Sequence, residues 1–151
     1  MTPESSRLVR ESWVRISADA DAVARRFYEA LFELAPHART LFERIDLEAQ
    51  RRKFVQMLDD ILRMLDDPGR CIPELAALGR RHAEYGTDFA DYDTVGAALL
   101  TALEESLGGA FTPAVRDAWM ETYRTIAGIM RRAATRAPGT MTGEMPVMRA
   151  V

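Results

Sequence analysis

The sequence predicts an all-α domain, on three observations. Apolar residues recur at three- and four-residue spacing through most of the chain, the period of an amphipathic helix. Apolar/polar alternation is scarce and no Asn-Gly pair marks a hairpin, so strands are not expected. Proline, glycine and capping residues fall between the apolar stripes and divide the chain into six long helices and one short one.

The first helix is expected to start near Pro3-Glu4-Ser5 and carries Leu8, Trp13 and Ile16. Around residues 17–21 it hands over to a second, with Val23, Phe27, Tyr28, Leu31 and Phe32 on one face. Pro36 ends or bends that helix, and a short segment covers residues 37–42. A long helix is expected over residues 46–65, its stripe reading Leu47, Gln50, Phe54, Leu58, Ile61 and Leu65. Asp66-Asp67-Pro68-Gly69 closes it, and the next helix is expected from near Pro73 until before Gly86. Tyr92, Val95, Leu99, Leu103 and Leu107 mark another, stopped by Gly108-Gly109. Thr112-Pro113 opens the last, a cap with proline just inside, and Val115, Trp119, Tyr123, Ile126 and Met130 form its stripe. From Ala137 the chain turns to Pro, Gly, Thr and Met. Residues 1–136 therefore read as one domain and 137–151 as a disordered tail.

Composition narrows the function classes. A chain of 151 residues, 48% hydrophobic, can build a good core. Its formal net charge of −3 argues against a dedicated nucleic-acid binder, which needs a basic face. Cys71 is the only cysteine, so no internal disulfide forms, which suits a reducing cytoplasm. The first residues lack a secretory pattern, and no apolar run is long enough for a membrane span. A cytoplasmic protein without a membrane span is expected.

Three polar residues interrupt the apolar stripes. His82, one of only two histidines, continues the stripe of Leu75 and Leu78. A buried imidazole has a partner, binds a metal, or is left unsatisfied at real cost. Gln50 lies one turn before Phe54, and Tyr28 lies on the inner face beside Leu31. Each has an ordinary explanation when taken singly: a satisfied core histidine, a capping glutamine, a tyrosine bonded to backbone. His37 follows Pro36 at an expected surface corner.

Order and spacing connect the three. Phe27-Tyr28-Glu29-Ala30-Leu31-Phe32, then Pro36 and Leu41-Phe42, then Ile45-Asp46-Leu47-Glu48-Ala49-Gln50-Arg51-Arg52-Lys53-Phe54, then Leu78-Gly79-Arg80-Arg81-His82 with Tyr85-Gly86, then Tyr92 to Val95-Gly96 and Ala118-Trp119 to Tyr123 follow in sequence. Over residues 5–134 this resembles the globin family, in particular bacterial single-domain globins and the haem domain of flavohaemoglobins. The resemblance implies a globin fold, a three-on-three helical sandwich around a haem pocket. It implies haem b with His82 as proximal iron ligand, and Phe42 stacked on the haem. With no Cys-x-x-Cys-His motif, the haem would be held non-covalently.

Physical chemistry agrees with what the resemblance implies. Haem iron needs one strong axial base, whose second nitrogen is oriented by a hydrogen bond; the Leu78 carbonyl, one turn back, is the expected acceptor. Phe42, Phe54, Leu78, Val95 and Leu99 could sandwich the porphyrin, and Arg44, Arg51, Lys53 and Arg81 are candidate propionate partners. With no distal histidine, Tyr28 and Gln50 offer donors to a dioxygen ligand carrying partial negative charge, and Phe54 narrows the pocket. Tight oxygen binding follows, with nitric oxide and carbon monoxide as further ligands.

The alternative is a nitric oxide dioxygenase or related haem redox enzyme served by a separate reductase. In flavohaemoglobins the tyrosine matched by Tyr92 partners a glutamate whose place here falls on Ala134, which weakens that reading. A gas sensor is a third possibility, weakened because 137–151 is too short for an output domain. A haem-free interaction module is a fourth.

Overall fold

The structure is a computed structural model that describes residues 2–84 and 89–135. Among these, seven α-helices run in order: α1 Pro3–Ser17, α2 Ala20–Leu34, α3 Pro36–Leu41, α4 Leu47–Arg63, α5 Pro68–Glu84, α6 Phe89–Leu107 and α7 Pro113–Thr135. A 3₁₀ turn, Gly108–Ala110, precedes α7, and the described residues contain no strand. No helix among them is long and apolar enough to cross a membrane. Tyr85-Gly86 and the tail expected over 137–151 lie outside the described residues.

Local chemistry explains the boundaries. Thr2 caps α1 by accepting from the Ser5 amide at 3.1 Å, with Pro3 at the first helical position. Asp46 caps α4, accepting from the Glu48 and Ala49 amides at 3.1 and 3.3 Å. Thr112 does the same for Val115 in α7 at 3.2 Å. Gly108, at φ +55°, takes the left-handed conformation that ends α6.

Three boundaries differ from the expectation. Pro36 does more than stop α2; it is the first residue of α3, with Ala35 before it outside the helical region at φ −135° and ψ 79°. The long helix ends at Arg63 rather than near residue 65, although Leu65 remains buried. The larger difference is α5, which starts at Pro68 and carries Pro73 inside it. Pro73 has no amide hydrogen to give the Gly69 carbonyl. The turn is anchored instead through Asp67, whose carbonyl accepts from Arg70 and Cys71 at 3.1 and 2.8 Å.

The helices form a three-on-three sandwich, with α1, α4 and α5 in one layer and α2, α6 and α7 in the other. The main crossings between layers are α5 on α7, α1 on α7 and α2 on α4, while α2 and α6 pair within their layer. Trp13 and Trp119 meet edge to face at 6.5 Å. Each buries its ring and satisfies its N–H, Trp119 on Ser12 at 2.8 Å and Trp13 on Asp59 at 3.2 Å.

Candidate haem-binding site

His82 projects from the last turns of α5 and is 4% exposed. Its Nδ1 lies 2.8 Å from the Leu78 carbonyl. A carbonyl only accepts, so Nδ1 carries the proton and Nε2 carries the lone pair. Burial, helped by the nearby Arg81 charge, pushes the imidazole pKa below its usual value, so the ring is neutral at pH 7. The Leu78 carbonyl is the partner the sequence suggested.

The ring borders a cavity walled almost entirely by apolar groups, among them Phe54, Leu58, Leu78, Val95 and Leu99. Among the described residues no three His, Cys, Asp or Glu side chains gather where they could hold a metal. A single neutral imidazole in an apolar chamber suits a metal that brings its other ligands and a large apolar face with it. The donor set and the lining fit haem. His37 stands exposed on α3 and takes no part.

The distal candidates form a second group beside the first. Tyr28, from α2, and Gln50, from the first turn of α4, are 2% and 3% exposed and are hydrogen-bonded to each other. Burial pushes the Tyr28 pKa far above the ordinary phenol value, so it stays a neutral O–H donor. Rings surround it edge-on: Phe27 at 5.0 Å, Phe42 at 5.8 Å and Phe54 at 6.0 Å. Phe54 stacks on Phe27 at 4.3 Å and also lines the His82 cavity. Phe27 lines that cavity too, so this stacked pair of rings is shared by the two groups. Phe42 packs on Tyr28 and Phe32.

On the proximal side Tyr92 lies 6.3 Å from the His82 ring, centre to centre. Burial pushes its pKa up to about 12, and its hydroxyl has no hydrogen-bond partner among the described residues. The Tyr123 hydroxyl donates to the Tyr92 carbonyl at 2.5 Å, and the Arg131 guanidinium lies 5.0 Å above the Tyr92 ring. Ala134, in the last turn of α7, supplies no carboxylate.

The candidate cations separate. Lys53 and Arg81 line one cleft between α4 and α5, together with Asp60 and Glu74. Arg51 turns the other way, its Nε donating to Asp21 at 2.8 Å, and Arg44 is exposed on the connection before α4. Sequence reasoning missed the floor of the cavity, where α7 contributes Trp119, Thr122 and Ile126. Trp119 and Ile126 read as an ordinary core stripe, and Thr122, 1% exposed in the fold, lay outside that stripe.

The globin family model matches residues 25–130, which include Tyr28, Gln50 and His82. The chain belongs to the globin family. A flavohemoprotein of Rhodopirellula baltica is 27% identical over 131 residues, covering 85% of this chain and 32% of that protein. A flavohemoprotein of Bordetella parapertussis is 26% identical over 132 residues, covering 86% and 33%. The chain thus spans about a third of these flavohemoproteins. Danio rerio neuroglobin is 27% identical over 145 residues, covering 87% of this globin and 91% of neuroglobin. In three dimensions the globin fold superposes on the crystal structure of a hexacoordinated heme protein from an anhydrobiotic tardigrade. The TM-score is 0.80 at 16% identity, over 90% of this chain and 96% of that one.

Proposed function

We propose that this globin holds haem b without a covalent link, ligates its iron through His82, and binds dioxygen reversibly. Nitric oxide and carbon monoxide are competing ligands. The observation that carries the reading is the buried, neutral His82 imidazole, fixed by Leu78 and bordering an apolar cavity. Bound haem supplies a ferrous iron that takes one diatomic gas.

The chain supplies what surrounds that iron. Tyr28 and Gln50 present an O–H and an amide N–H, and burial keeps the phenol protonated. Donors aimed at a ligand with partial negative charge are worth about 1.5–3 kcal/mol each. Slow release follows, which favours storage or scavenging over easy delivery. Phe54 sets the room available, and Lys53 and Arg81 hold the propionates in this reading, which their shared cleft between α4 and α5 supports.

Nitric oxide dioxygenation with a separate reductase is the second reading, favoured by the likeness to flavohemoproteins. Visible spectra of the purified protein, ferric, ferrous, and ferrous under oxygen, test the first. A stable spectrum under oxygen is expected. A colourless protein that takes up no haemin refutes haem binding, and immediate oxidation under air refutes reversible oxygen binding.

A further inference from the structure

Gly79 is buried inside α5, where a glycine weakens the helix and so asks for a reason. A Cβ at this position would lie 2.4 Å from the Met130 carbonyl oxygen, 2.6 Å from its Cα and 2.8 Å from its carbonyl carbon. All three are backbone atoms of α7, so no rotamer change can make room. Gly96 on α6 is crowded only by the Tyr123 side chain, at 2.7 Å, and a Cβ at Gly128 on α7 would come no nearer than 3.4 Å to the end of the Arg132 side chain.

Gly79 directly follows Leu78, the residue that orients His82, and precedes His82 by three positions. One turn of helix therefore carries the imidazole, its orienting carbonyl and the point of contact with α7. Met130 also lines the cavity that His82 borders.

We infer that Gly79 is a positioning residue for His82: lacking a side chain, it lets α5 lie backbone to backbone on α7 and so fixes how far the imidazole reaches into the cavity. The inference rests on the reading that His82 ligates haem. A methyl group at 79 must lift the turn by about 1 Å to reach ordinary contact. Packed interiors pass such shifts on rather than absorb them, and a displacement of that size at a ligand matters.

The test compares four haem-loaded proteins: wild type, Gly79→Ala, His82→Gly with added imidazole, and the double variant with added imidazole. The readouts are the ferrous iron–imidazole stretching band by resonance Raman, the haem release rate, and helical circular dichroism. Gly79→Ala is expected to displace the band and to speed haem release by about tenfold. In the His82→Gly background the ligand is detached from α5, and the same substitution should leave the band in place. Gly128→Ala, a fifth protein serving as control, should change neither the band nor the release rate.

An unmoved band in Gly79→Ala overturns the inference, as does an equal shift in both backgrounds. A Gly79→Ala chain that loses its helical dichroism overturns it too, because the close approach then serves the fold and not His82. If His82→Gly keeps its haem spectrum without imidazole, the assignment of His82 fails, and this inference with it.

Discussion

Replacing Tyr28 with phenylalanine removes one oxygen atom from a ring that is 2% exposed and enclosed by Phe27, Phe42 and Phe54. The ring stays and the packing is nearly unchanged, so the substitution isolates the hydroxyl. That hydroxyl is neutral, and without a gas it is hydrogen-bonded to Gln50. A donor to a partly charged acceptor is worth about 1.5–3 kcal/mol. By the tenfold-per-1.4 kcal/mol rule its loss speeds oxygen release by about 10- to 100-fold. Exchange of the Tyr28–Gln50 bond offsets about 1 kcal/mol, which places the expected effect near the lower end. Carbon monoxide carries less negative charge and should respond much less. The Tyr28→Phe/Gln50→Leu double variant should be non-additive, because both donors share one acceptor. Stopped-flow displacement of oxygen by carbon monoxide measures the first rate, and displacement of carbon monoxide by nitric oxide the second. Small, equal changes for both gases would refute the hydrogen-bond argument and transfer control to the shape of the pocket at Phe54.

His82→Ala should lose normal haem retention, with added imidazole restoring it, while exposed His37→Ala should leave the ferrous and carbon monoxide spectra unchanged. If Gln50 holds the distal position proposed for it, no histidine closes the sixth site and the ferrous protein without a gas should be mainly five-coordinate; an intense low-spin ferrous spectrum would contradict this. Tyr92→Phe removes a buried hydroxyl that has no partner among the described residues, so the haem-free protein should gain about 1 kcal/mol in a denaturant titration; a comparable loss would show that the hydroxyl is paired. Gly108→Ala places a side chain at φ +55° and should cost about 1 kcal/mol without touching gas kinetics, read by the same titration.

Much of the candidate site was legible because it breaks a pattern. His82, Gln50 and Tyr28 are polar residues on apolar stripes, and periodicity alone placed them inward. What escaped depends on partners distant in sequence. Pro73 resembles a helix start, but the Asp67 carbonyl six residues earlier had already anchored the turn. Arg51 and Lys53 are near neighbours on α4, and Asp21 on another helix draws Arg51 away from the cleft that Lys53 lines. The α7 floor looked like any core stripe, because no local pattern reveals which side of a core stays hollow. Gly79 is plain in the sequence, whereas its contact with Met130 exists only once α5 and α7 are packed.

The tryptophan pair carries an optical consequence. The chain has two tryptophans, and they sit together at 6.5 Å with Trp119 in the wall of the His82 cavity. Indole emission overlaps the strong near-ultraviolet absorption of haem, so a haem beside Trp119 would accept its excitation energy. A haem in that cavity would therefore darken both emitters at once. Intrinsic fluorescence would then report occupancy of the cavity directly, without a label and at concentrations too low for an absorption spectrum. It would also follow haem entry and loss in real time.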